Sequence, residues 1–380
     1  MHERGFRLGS ILGFEIRLDA SWFVIFFLLL WSLSAGVFPA SVPAQSTVVH
    51  VVMGVAATLL FFASLLAHEI SHSLVARSRG IPMAGITLFI FGGMAHATLE
   101  PDNPGDELVI AGVGPLTSLV LGGLFLGLAG LGRSWGWGPA AGEVARYLGF
   151  INIALAIFNL LPGFPLDGGR IFRAAVWKRT GDLERATRYA TRGGRAIGIG
   201  LVALGGLEIL LGALIGGLWL VFIGLFLRGA ADATLRQFVL EQVLRGISVR
   251  QAMSTVPPVV GARTMLAEWI HDSLMGTRHS TFPVEDDGHV VGLVTLDQIE
   301  AVPREKWADT AVRDVMTDLD ASMVASPDDD MKEVLAKVRG STMDQVVVVE
   351  GTTPVGVLTS ADIQACVRRV TLASERHPSP

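Results

Sequence analysis

One cysteine, Cys366, occurs in the 380 residues, which excludes an internal disulfide framework and suits a reducing compartment. Charge is scarce too. Asp, Glu, Lys and Arg make up 17% of the chain against 51% hydrophobic residues, and the mean hydropathy is +0.51. Ordinary soluble domains carry about 25% charged residues. So apolar a chain fits several membrane spans joined to a soluble part. The net charge of -5 argues against a nucleic-acid partner. A cleavable signal peptide is not expected, because "MHERGFRLGS" is polar and the first apolar run is long enough to span.

Apolar runs dominate residues 1–236, and the composition beyond them is that of a soluble α/β domain. Crossing the hydrocarbon core takes roughly 20 apolar residues as helix. Six runs qualify, at 20–39, 50–75, 107–131, 145–163, 196–214 and 217–235, the last two forming a tight hairpin around "LIGGLW". Loop charges orient them. Arg4, Arg7 and Arg17 precede the first run, Arg77 and Arg79 follow the second, and Arg170, Arg173, Lys178, Arg179, Arg185, Arg188, Arg192 and Arg195 lie between the fourth and fifth. The other face offers Arg133 and Arg146. The positive-inside rule then predicts a multi-pass protein of the cell membrane with both termini in the cytoplasm. The basic stretch "TGDLERATRYATRGGR" (180–195) is expected as a solvated, lipid-facing helix.

The C-terminal part repeats itself. "VRQAM" (249–253) recurs as "VRDVM" (312–316), and "VVGLVTLDQI" (290–299) recurs as "PVGVLTSADI" (354–363). A strand, helix, strand, strand, helix pattern fits each copy, and such a repeat resembles a tandem pair of CBS (cystathionine-β-synthase) domains over 247–371, with copies at 247–303 and 310–371. The resemblance implies an adenine nucleotide such as ATP, held by Thr359 and Asp362 in the second copy. The first copy departs from the pattern, with Gln298 following Thr295. The alternative is a structural or homodimerising module without a ligand.

The second run ends in "LLAHEISHSLVAR" (65–77). Ionisable side chains at membrane depth are costly and mark function. His68 and His72, four apart on a helix, share one face, so both imidazoles can reach one metal ion with Glu69 beside it to handle protons. Composition alone yields about 0.02 such motifs per chain of this length. The rival is a satisfied structural cluster. A catalytic zinc takes three protein ligands and keeps one position open. Asp167 in "NLLPGFPLDGGR" (159–170) is the candidate third ligand, because prolines and glycines break the helix around it. Broken backbone at that depth is tolerated where it lines protein or a wet cavity. A helix cap or interfacial turn is the competing explanation of the same residues.

The two motifs together resemble the site-2 protease family of intramembrane zinc metalloproteases, in its CBS-bearing branch. The resemblance implies a polytopic α-helical membrane domain, 1–236, with about six transmembrane helices and a re-entrant β-hairpin, followed by the soluble CBS pair. It implies His68, His72 and Asp167 as Zn2+ ligands and Glu69 as general base. Gly114 and Pro115 in "AGVGPLTSL" match the family's Gly-Pro motif, but Ser118 stands where many members have asparagine, which leaves a polar role there open. Asn159 is the candidate oxyanion donor, and His96 is assigned to a strand rather than the metal. "ITLFIFGGMAHATL" (86–99) reads as a hairpin turning at Gly92-Gly93, whose exposed edge binds the unwound substrate as an added strand. An interfacial loop is the alternative.

The expected function is cleavage of transmembrane or membrane-associated proteins near the cytoplasmic face of the lipid bilayer, with nucleotide at the CBS pair regulating it. Family analogy adds membrane-tethered transcription regulators as substrates. The rival is a CBS-regulated transporter or channel for a metal cation. It gives Glu69 no task and lacks an inverted repeat of broken helices.

Overall fold

The computed structural model describes residues 5–97, 101–244, 246–255, 259–272, 281–320, 323–331, 334–335, 345–351 and 353–375, so Arg4 and residues 98–99 of the hairpin reading lie outside the described residues. Two compact units divide between Gln237 and Phe238.

The first unit opens with two strands that the sequence reading missed, β1 (Gly5–Ile11) and β2 (Phe14–Asp19). Leu12 and Gly13 turn between them with φ of +53° and +85°, both positive as a type I′ hairpin requires. Phe14, Ile16 and Leu18 alternate inward along β2 and pack with Ile86 and Leu88. Asp19 then caps the first helix, accepting from the Ser21 amide at 2.9 Å and its hydroxyl at 2.5 Å. Those bonds, the hydroxyl's first, hold the Asp19 carboxyl below its usual range.

Helix α1 (Ala20–Ser32) continues through a π-helical turn, Leu33–Val37, into the short α2 (Phe38–Ser41). Then come α3 (Thr47–Ser78), β3 (Met83–Phe89), β4 (Gly92–Ala97), α4 (Pro104–Ser134), α5 (Pro139–Asn159), α6 (Asp167–Thr180), α7 (Leu183–Leu210) and α8 (Leu214–Leu244). Among the described residues six helical segments are long and apolar enough to cross a membrane. Their interior is built of small and polar residues, including Ala57, Thr58, Ser118, Asn152 and Ala156, while Val48, Leu59, Val120 and Phe150 face outward. That inversion follows from lipid being as apolar as leucine, so that helices associate by close packing of small side chains. The fifth span starts earlier than its apolar stretch, because Asp182 caps α7 at the Arg185 amide (2.8 Å) and Glu184 pairs with Arg188 (2.7 Å).

The sheet order is β1-β2-β3-β4, with β2 parallel to β3 and the other pairs antiparallel. The hairpin exists, but its turn is Ile90-Phe91 rather than Gly92-Gly93, with Phe89 paired to Gly92. Contacts outside the hairpin fix that register. The Ile90 amide donates to Ser21 Oγ (3.2 Å), and Phe91 stacks on Phe226 of α8 with ring centroids 3.6 Å apart. His96 lies in β4, opposite Gly85. Among the described residues β4 stands at one edge of the sheet and β1 at the other.

The second unit contains two four-stranded sheets. Its strands are β5 (Ser254–Thr255), β6 (Val260–Gly261), β7 (Thr281–Asp286), β8 (His289–Thr295), β9 (Thr317–Asp318), β10 (Val324–Ala325), β11 (Gln345–Glu350) and β12 (Thr353–Thr359). One sheet runs β6-β7-β8-β9 and the other β10-β11-β12-β5. Each copy of the repeat therefore lends its first strand to the other copy's sheet. Among the described residues one apolar core forms around Phe282, Val284 and Trp269, another around Val346, Val348 and Leu358, and a smaller cluster joins Leu293, Met323 and Val347. Each such fully buried side chain contributes about 1.5–3 kcal/mol.

Candidate active site

Helix α3 supplies the first two side chains. His68 and His72 are buried one turn apart and meet edge to face, with ring centroids at 4.9 Å. Helix α4 orients both. Nδ1 of His72 donates to the Ile110 carbonyl at 2.6 Å, and Nδ1 of His68 is hydrogen-bonded to Ser118 Oγ at 2.9 Å. A carbonyl only accepts, so the His72 proton resides on Nδ1 and its Nε2 carries a lone pair. In the same tautomer of His68, Ser118 Oγ accepts from Nδ1 and Nε2 is left as a metal-ligating nitrogen.

The two Nε2 atoms face each other at 3.2 Å, with Asp167 Oδ2 at 3.1 Å from His68 and 3.3 Å from His72. Two imidazole nitrogens and one carboxylate oxygen, all metal-ligating atoms, thus converge on one point. Ligands at about 2.0 Å around a tetrahedral zinc stand about 3.3 Å apart, so the donor set fits that ion. Asp167 is brought in by the loop 160–166 and stands at the first turn of α6. Among the described residues His68, His72 and Asp167 form the group able to hold a metal.

Two glycines make room. A Cβ on Gly114 would collide with Nε2 of His72 and lie 2.7 Å from Nε2 of His68. Pro115 beside it cannot donate to the Ala111 carbonyl, which loosens α4 at this level. A Cβ on Gly93 would collide with Glu69, lying 2.7 Å from its Cδ and 2.9 Å from Oε1. The Glu69 carboxylate therefore lies directly beneath the edge strand β4. Gly93 matters as a close-approach site, which the hairpin-turn reading missed.

Ser118 has the polar role that the sequence left open. Asn159, the last residue of α5, donates its amide to its own helix at the Leu155 carbonyl (3.1 Å). Arg173 and Glu107, which sequence reasoning did not single out, form a buried ion pair beside the site (Nη2–Oε1 2.5 Å).

In the second unit Asp362 accepts from Thr359 Oγ1 (2.7 Å) and N (2.9 Å) through Oδ2, and from Ser254 Oγ (2.5 Å) through Oδ1. A cavity of about 570 Å³ adjoins it, lined also by Arg368 and Arg369. The first copy mirrors this with an amide, Gln298 Nε2 donating to Thr317 Oγ1 at 2.8 Å.

The family model described as peptidase family M50 matches residues 56–136 and 127–201, and the CBS domain model matches 249–302 and 312–368. Rip3 of Mycobacterium tuberculosis, named as a zinc metalloprotease, is 37% identical over 94% of this chain and 91% of its own. Zinc metalloprotease MJ0392 of Methanocaldococcus jannaschii is 28% identical over 97% of this chain and 98% of its own. The solved site-2 protease from Methanocaldococcus jannaschii is similar at 27% identity and a TM-score of 0.44, covering 61% of this chain and 95% of that one. This chain therefore belongs to peptidase family M50, the site-2 protease family of membrane zinc metalloproteases, in the branch that carries a CBS pair.

Proposed function

We propose that the chain hydrolyses peptide bonds of membrane-spanning or membrane-associated proteins near the cytoplasmic face, with His68, His72 and Asp167 holding one zinc ion. The observation that carries this reading is the convergence of two Nε2 atoms and one carboxylate oxygen at 3.1–3.3 Å, with Nδ1 of both rings hydrogen-bonded to α4. Zinc in that position supplies a Lewis acid for the scissile carbonyl and renders water nucleophilic near neutral pH.

Glu69, one residue from His68, takes the proton from water and passes it to the leaving amine. Asn159 is the candidate donor to the developing oxyanion. A transmembrane substrate must leave its helix before it can react. Added as a strand along the free edge of β4, its backbone would run past Gly93 and thus past the Glu69 carboxylate. Gly92 and Gly93 serve that reading as backbone contacts. The hairpin dips into the bilayer from the side where α3 ends. His72 lies six residues, about 9 Å of helix, from that end at Ser78. The arginines after α3 and between α5 and α7 make this the cytoplasmic side, with both termini and the CBS pair there.

Adenine nucleotide at the CBS cavity is the proposed regulator. Its ribose would take over the Asp362 oxygen that accepts from Ser254, and Arg368 and Arg369 would meet the phosphates.

Glu69→Gln tests the whole reading. In proteoliposomes carrying a labelled single-span peptide with a helix-breaking Asn-Pro near its cytoplasmic end, wild type should cleave. The variant should lose roughly 10²- to 10⁴-fold in rate while keeping zinc. Cleavage at the wild-type rate would remove Glu69 from the chemistry, and metal transport without cleavage would favour the transporter.

A further inference from the structure

Helix α4 aims both histidines, through the Ile110 carbonyl and Ser118, whereas Asp167 rides on α6. Something must hold these two carriers in register. Arg173 and Glu107 are 5% and 0% exposed, and Arg173 Nε donates to Glu107 Oε1 at 2.6 Å, with Nη2 at 2.5 Å from the same oxygen. Glu107 lies one turn before Ile110 on α4. Arg173 lies six residues beyond Asp167 on α6. The guanidinium also sits over the ring of buried Phe164 at 5.2 Å, in the loop that delivers Asp167. One side chain thus touches the helix that aims His72, the loop before Asp167 and the helix after it.

Burying an ion pair is costly, and well-packed apolar residues often replace one without loss of stability. A role in geometry explains its presence here. We propose that Arg173 and Glu107 are positioning residues of the metal centre, fixing the distance of Asp167 from His68 and His72. This rests on the zinc reading above.

The test is zinc affinity of the full chain in detergent, stripped of metal and titrated against a competing chromophoric chelator. Two variants are compared with wild type: Arg173→Lys, which keeps the charge but loses the planar fork, and the apolar pair Glu107→Leu with Arg173→Met. Circular dichroism and melting of the metal-free proteins establish folding. A folded variant is expected to bind zinc about 10- to 100-fold more weakly, as loss of residues behind metal ligands does. In an Asp167→Ala background the same change should cost nothing further, because Arg173 acts through Asp167. Wild-type affinity in a folded variant would overturn the proposal, as would an equal additional loss without Asp167. Failure of both variants to fold would mark the pair as structural only. A wild type that binds no zinc would instead sink the earlier reading, so the two failures are distinguishable.

Discussion

Replacing Ser118 with alanine removes the oxygen that accepts the Nδ1 proton of His68 in the tautomer metal binding requires, and it changes no proposed metal ligand. The bond is 2.9 Å long and Ser118 is fully buried, so no bulk water substitutes for it. A buried donor left unpaired costs about 1–3 kcal/mol. The imidazole can escape by shifting its proton to Nε2, where Asp167 Oδ2 accepts it at 3.1 Å. That tautomer has no lone pair for the metal, so zinc binding must reverse the shift. At about 1.4 kcal/mol per tenfold, the affinity falls roughly 5- to 140-fold. His72 is insulated, since its Nδ1 proton goes to the Ile110 backbone. The assay is the chelator competition described above on Ser118→Ala, with Ser118→Thr restoring a hydroxyl. Unchanged affinity in Ser118→Ala would refute the tautomer argument.

Other positions give separable outcomes. Gly93→Ala should abolish cleavage with zinc retained, because the new Cβ displaces the Glu69 carboxylate and not the ligands; loss of zinc in that variant would contradict the placement. Gly114→Ala should do the reverse, expelling zinc at an overpacking cost of about 1–3 kcal/mol, read as chelator-accessible metal and a lowered melting temperature. At the CBS pair, ATP at 100 times its dissociation constant should stabilise the wild type by about 2.7 kcal/mol. Asp362→Asn should remove the thermal shift, and an undiminished shift would remove Asp362 from the nucleotide site.

The membrane spans and the His68–Glu69–His72 motif were legible because their signals are local: an uncharged run, and a four-residue spacing on one face of a helix. The CBS pair was legible through internal repetition. Strands β1 and β2 were missed, although Phe14, Ile16 and Leu18 alternate with polar residues, because the charged stretch read as a cytoplasmic lead-in. Placing the hairpin turn at Gly92-Gly93 followed turn chemistry. The chain turns two residues earlier because Phe91 stacks on Phe226, some 135 residues away in sequence, and Gly93 is needed in the strand where it passes Glu69 closely. Contacts of that range leave no local mark. The same holds for the strand exchange between CBS copies and for the Arg173–Glu107 pair, 66 residues apart. The Ile110 carbonyl acts through backbone, on which a side-chain motif is silent.

Zinc content tests the central claim most directly. Full-length wild type, His68→Ala and Asp167→Ala would be purified gently in detergent and analysed by elemental spectrometry beside protein concentration. One zinc per wild-type chain, lost or sharply reduced in both variants, is the predicted result, since it joins two motifs 99 residues apart into one site. Zinc retained in Asp167→Ala, or absent from wild type, would contradict it.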